Sequence, residues 1–181
     1  MNVGLLILRV IIGALFVGHG TQKLFGWFNG HGINGTAGFM KSLRIRNGRV
    51  AAVITGLSES VGGLMLVLGF LTPLASAGII GVMVGAMALV HLRNGLWNTG
   101  GGIELPLVYS VAAAVLAFTG PGRFSLDRVL GWHIAGPAYG VGAILIGIAV
   151  GLVALTVLRS TVSRTSAGGD VEKADEESMA A

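Results

Sequence analysis

Between Val50 and Gly122 the sequence carries formal charge only at Glu59, Arg93 and Glu104. So apolar a stretch cannot cover itself with a hydrated shell, and lipid has to be its solvent. The whole chain repeats the pattern, with 53% hydrophobic and 11% charged residues, whereas a soluble domain carries about 25% charged residues. A membrane-crossing helix needs about 20 apolar residues, and five segments come close. They run from about Val3 to Thr21, Val50 to Leu71, Pro73 to Leu92, Ile103 to Gly120 and Ile134 to Leu158. Barrel strands would alternate apolar and polar residues in short segments, and these runs are apolar on every side. The expected fold is an all-α polytopic membrane protein.

Composition also excludes chemistry. There is no cysteine, so this chain holds no disulfide, thiol nucleophile, thiolate metal site or iron–sulfur cluster. No flavin motif and no phosphate loop appears. The glycine-rich segment Thr119 to Asp127 follows an apolar run and reads as a turn leading into a short helix capped by Ser125. The net charge of +4 does not point to nucleic acid. The bases flank apolar spans, where anionic lipid head groups account for them.

The connections add detail. Phe70 to Pro73 is short enough to make the second and third spans antiparallel neighbours. Thr72 is placed to cap the third span, with Pro73 at its first position. Gly81 with Gly85, and Gly147 with Gly151, have the spacing that lets helices approach closely in lipid. The first connection holds Lys23, Lys41, Arg44, Arg46 and Arg49 and no acid. Within Thr36 to Arg46, Phe39, Met40 and Leu43 fall at helical spacing between bases, as in a helix lying at the membrane surface; a solvated loop is the other reading. With five spans, Lys23, Lys41, Arg44, Arg46, Arg49, Arg93, Arg159, Arg164 and Lys173 share one side, against Arg123 and Arg128 on the other. The excess of bases predicts a cytoplasmic C-terminus and an N-terminus outside. The first span lacks a basic leader and is interrupted by Arg9, unlike a secretory signal. Residues 160 to 181, rich in Ser, Ala, Gly and acids, read as a disordered polar tail.

Ionisable residues inside a membrane are costly, so each raises a functional question. Glu59 lies about 13 Å along its helix from Val50, close to mid-membrane, and Arg9 about 9 Å in from the opposite face. An Arg9–Glu59 ion pair between the first two spans is expected, either as a functional pair or simply as a lock on the bundle. A second group gathers near the basic side: His19 and Lys23 end the first span, His91 and Arg93 end the third, and Glu104 begins the fourth. Trp27 and Trp97 lie just beyond, at the depth of an aromatic belt. His19, Lys23, His91 and Glu104 could line a pocket for a quinone head group, which needs hydrogen bonds and a proton path during reduction. Taken singly, each could instead snorkel to the head groups. A haem held by His19 and His91 is a lesser reading.

In order along the chain these residues resemble the DoxX family of small bacterial membrane proteins. The resemblance rests on Leu8-Arg9, on Gly18-His19-Gly20-Thr21-Gln22-Lys23-Leu24-Phe25-Gly26, and on Glu59-Ser60-Val61-Gly62-Gly63. It continues with Leu68 to Thr72, His91-Leu92-Arg93-Asn94-Gly95, Gly101-Gly102-Ile103-Glu104 and Gly120 to Asp127. Ile103 stands where the family usually has an aromatic residue. The resemblance implies a DoxX-like four-helix bundle over residues 1–130. One additional transmembrane helix over 131–159 and the tail over 160–181 fall outside it. The family is named for a membrane subunit of a thiosulfate:quinone oxidoreductase. The resemblance therefore implies redox association more readily than a defined reaction; the leading expectation is a cell-membrane subunit of an oxidoreductase system that supports electron transfer to or from quinone, with a partner supplying electrons. Catalysis by that partner is as compatible with these residues as catalysis by this chain. Two other readings stand beside it: a non-enzymatic anchor that recruits soluble redox proteins through the basic loop and acidic tail, and a small proton-coupled transporter using Glu59.

Overall fold

The computed structural model describes residues 2–159. Seven α-helices follow one another: α1 (Asn2–Phe25), α2 (Gly32–Ser42), α3 (Gly48–Leu68), α4 (Thr72–Ala86), α5 (Glu104–Thr119), α6 (Leu126–Val129) and α7 (Pro137–Arg159). No strand occurs among the described residues. The all-helical membrane fold expected from the sequence is borne out. The polar tail expected over 160–181 lies outside the described residues.

Helices α1 and α3 pack most extensively, and their glycines explain why. A Cβ on Gly13 would sit 2.5 Å from the Gly63 carbonyl oxygen, and one on Gly20 would sit 2.5 Å from that of Gly56. These glycines bring the two backbones together in antiparallel register. Hydrophobic association is weak between helices already in lipid, so such close packing is a main source of cohesion. Along α4 and α7 the same device recurs in parallel: Gly147 lies against Ala77 and Ile80, and Gly151 against Gly81 and Val84. Gly85, which shares the sequence spacing, has open space beside it. Phe16, Leu66, Ile79, Ala113 and Leu116 fill the centre. Val3, Ile7, Ile54, Leu57, Leu145 and Val153 point outward, as expected of a bundle solvated by lipid.

Helix α4 does not stop at Ala86. It continues as a π-helical turn over Met87–His91 and a 3-10 turn over Leu92–Asn94, giving an apolar helical stretch of 23 residues. Four helices are long and apolar enough to cross a membrane: α1, α3, extended α4 and α7. Helix α5 is the exception to the five expected spans. Its 16 residues rise about 24 Å against a hydrocarbon core of about 30 Å. Gly120, at φ 73°, ends it, and Glu104 begins it. It is nevertheless packed inside the bundle against α4 and α7.

The connections sort the chain into two ends. The start of α1, the α3–α4 turn, α6 and the start of α7 meet at one, which we call the hairpin end: the Arg123 amide donates to Asn2, and the Asp127 amide donates to the Gly69 carbonyl. The end of α1, α2, the start of α3 and the α4–α5 connection lie at the other, the basic end. Because α7 runs parallel to α4, it finishes at the basic end as well.

Candidate functional site

Side chains on a helix lean toward its N-terminus. In the antiparallel pair α1–α3 this rule decides which charges meet. Lys23, in the last turn of α1, leans inward along the bundle, and Glu59 on α3 leans toward the basic end. They meet: Lys23 Nζ forms an ion pair and hydrogen bond with Glu59 Oε2. The side chain of Glu59 is 4% exposed and that of Lys23 is 28% exposed, so the pair is buried at the acid and open at the base.

The expected Arg9–Glu59 pair is not formed. The register that sets Gly13 against Gly63 and Gly20 against Gly56 puts Val17 level with Glu59. Arg9 lies about 12 Å further along α1, and its stem leans away, toward the hairpin end. There Arg9 Nη1 donates to the carbonyls of Val67 at 2.6 Å and Leu66 at 3.3 Å. Both carbonyls belong to the last turn of α3, at the negative end of its dipole, and that of Leu66 also accepts from the Gly69 amide. Its Nε is buried without a partner among the described residues.

Asp127 completes that end. It is 1% exposed and within electrostatic reach of Arg9. Its Oδ1 accepts from the Leu71 amide at 2.7 Å, and its Oδ2 from the Thr72 amide at 3.1 Å and the Thr72 hydroxyl at 2.9 Å. The cap on α4 expected from Thr72 is thus made by Asp127, which reaches across from α6, while the Thr72 hydroxyl donates to it. Ser125 does cap α6, its hydroxyl accepting from the Arg128 amide. Gly69 stands between the two charges at φ 64°, and a Cβ there would lie 2.6 Å from Arg9 Nη1. Both its backbone geometry and the space demand glycine.

His19 belongs with Lys23 and Glu59. It is exposed, and its Nδ1 is 3.2 Å from Gln22 Oε1. Gln22 Nε2 in turn donates to the Phe28 carbonyl. Phe16 stands edge-on to His19 and also to Tyr109 of α5, with ring centroids 6.4 and 5.4 Å apart.

His91 and Glu104 have a different task. His91 ends the π-helical turn, and its Nδ1 is 2.7 Å from the Gly101 carbonyl oxygen. A carbonyl only accepts, so Nδ1 donates this hydrogen bond. Glu104 Oε2 accepts from the Asn98 amide at 2.8 Å. Both fasten the α4–α5 connection. Among the described residues no hydrogen bond or ion pair joins them to His19, Lys23 or Glu59. A shallow apolar groove of about 290 Å³ lies on a different face of α3, between it, α4 and α7, lined by Val61, Gly62, Leu74 and Ile146 among others.

Sequence reasoning missed Asp127 and Gln22. Asp127 did leave a signal, as the only acid between Glu104 and Asp170. Gln22 left none beyond its place in the His19–Lys23 segment.

Fold and site together define a polytopic helical membrane protein with charged groups inside its bundle. The DoxX family model matches residues 4–92. "Inner membrane protein YqjF" of Escherichia coli is 30% identical over 129 residues, covering 71% of this chain and 93% of that protein. "Inner membrane protein YphA" of the same organism is 31% identical over 132 residues, covering 68% and 88%. "Uncharacterized membrane protein Rv3486" of Mycobacterium tuberculosis is 29% identical over 140 residues, covering 68% and 78%. The chain belongs to the DoxX family. No solved structure matches it significantly.

Proposed function

We propose that this chain is the membrane subunit of an oxidoreductase system and holds a quinone head group at the basic end, beside His19, Lys23 and Glu59. The observation that carries the reading is the Lys23–Glu59 pair: a carboxylate deep in an apolar bundle, joined to a lysine that opens outward next to an exposed histidine. Reduction of a quinone to the quinol takes two electrons and two protons. Lys23 and His19 offer donors to a quinone oxygen, and Glu59 offers a site for a proton on its way there. The electrons come from a partner protein, which this reading requires. By the excess of lysine and arginine, the basic end faces the cytoplasm.

Glu59 also supports a second reading. Protonation of that acid would release Lys23, a step suited to proton-coupled transport. One experiment separates the two. The protein is purified in mild detergent, supplied with a short-tailed ubiquinone, and washed. Its ultraviolet spectrum is then recorded oxidised and after chemical reduction. The expected result is a retained quinone difference band that disappears in Glu59→Gln while the thermal midpoint changes little. Failure of the folded parent protein to retain added quinone overturns the redox reading, and proton-dependent solute flux in vesicles would then establish the transport one.

A further inference from the structure

The same helix-ending turn recurs among the described residues, and the ends of α3 and α2 place different residues at its key position. After α3, the Gly69 amide donates to the Leu66 carbonyl and the Phe70 amide to the Met65 carbonyl. After α2, the Arg44 amide donates to the Lys41 carbonyl and the Ile45 amide to the Met40 carbonyl. Both are Schellman-type ends, and the second also carries the apolar contact that accompanies them, between Met40 and Ile45. The position in the left-handed region is Gly69 at φ 64° in one and Arg44 at φ 61° in the other. Glycine adopts that conformation freely, and a side chain does so at a cost. The α2 turn therefore keeps an arginine where its own backbone favours glycine.

Arg44 is not alone. Lys41, Arg46 and Arg49 are exposed around it, and none of the four side chains has a hydrogen bond or ion pair among the described residues. Nor is an acid left to neutralise them. Of the three acids among the described residues, Glu59 is paired with Lys23, Glu104 is bonded to the Asn98 amide, and Asp127 lies at the hairpin end. At the same end of the bundle, large apolar side chains stand open: Phe39 on α2, Phe25 at the end of α1, and Trp27 and Phe28 in the connection between them. Helix α2 is strung between two membrane-crossing helices, with Thr36, Ala37 and Met40 buried. This places the cations and the apolar rings together at the membrane surface. Water satisfies the cations but not the rings, and an acyl-chain interior satisfies the rings but not the cations. The head-group layer of a negatively charged leaflet satisfies both.

We propose that α2 and the turn that follows it form a binding surface for the head groups of anionic phospholipids, with Arg44 as its central contact. This inference is independent of the quinone reading. The test is to reconstitute the full chain in vesicles of equimolar phosphatidylglycerol and phosphatidylcholine, extract it in mild detergent, and count the lipids that stay bound. The parent protein is expected to retain phosphatidylglycerol in excess. Arg44→Gly separates packing from binding: its thermal midpoint should rise as the backbone strain is relieved, while the preference for phosphatidylglycerol falls by about fivefold. Replacing Lys41, Arg46 and Arg49 by glutamine as well should abolish the preference. Arg123→Gln, which removes a base at the hairpin end, should leave it intact. Equal retention of the two lipids by the parent overturns the proposal. So does an Arg44→Gly protein that is stabilised yet keeps its full preference.

Discussion

The two ends of the α1–α3 pair each bury a charge, and they treat it in opposite ways. At the hairpin end, Arg9 and Asp127 are spent on backbone: Arg9 on the carbonyls that end α3, Asp127 on the amides that begin α4. Their hydrogen bonds go to groups that do not titrate. At the basic end, Glu59 is held by one flexible side chain that reaches toward water and has a histidine nearby. The first arrangement fixes a shape. The second leaves groups that can exchange a proton or a ligand. A buried charge in a membrane protein therefore says little about function until its partners are known, because backbone partners and side-chain partners lead to different roles.

Substitutions can break this contrast. The largest effect is expected from Asp127→Ala. It strips acceptors from the Leu71 and Thr72 amides and removes the charge that faces Arg9, so unfolding in mild detergent should be easier by about 3–5 kcal/mol. If Asp127→Ala proves as mild as a change at Glu59, the two ends do not differ as described. Gly63→Val comes next. A Cβ there would lie 2.6 Å from the Gly13 carbonyl oxygen, and forcing α1 from α3 should cost about 2–3 kcal/mol by the same measurement. Glu59→Gln should cost only about 1 kcal/mol, because the freed Lys23 can extend to the head groups, yet it should abolish quinone retention. That combination of small stability loss and complete functional loss is the sharpest form of the contrast. Smallest is Gly85→Ala. With open space beside it, this change should stabilise α4 by about 0.5–1 kcal/mol, whereas alanine at Gly151 would meet the Gly81 carbonyl oxygen at 2.8 Å.

Much of the fold was legible because lipid imposes a simple rule on sequence: long apolar runs become helices. That rule located α1, α3, α4 and α7. It was less informative about α5, where apolar residues flank a helix shorter than the run that contains it. Site residues were legible one at a time, since Arg9, Glu59, His19 and Lys23 stand out against an apolar background. Their pairing was not. Depth alone suggested Arg9 with Glu59, but pairing depends on register and on the direction in which side chains lean. The register comes from Gly13, Gly20, Gly56 and Gly63, which look like any other glycines in a chain that has 31. Asp127 was hidden for a related reason: its partners lie 55 and 56 residues away, and no local pattern records a contact of that span.

The placement of Arg9 and Asp127 also sets a schedule for biosynthesis. Arg9 precedes α3 in the chain, so the end of α3 finds its partner as soon as it is made. The start of α4 must wait for Asp127, 55 residues after Thr72. At about 5–20 residues per second, the nascent α3–α4 hairpin sits with its amides uncapped for roughly 3–11 s while α5 is threaded into the membrane. Ribosome release before residue 127 would leave an inserted but unlatched hairpin, the form that membrane quality-control proteases are suited to remove.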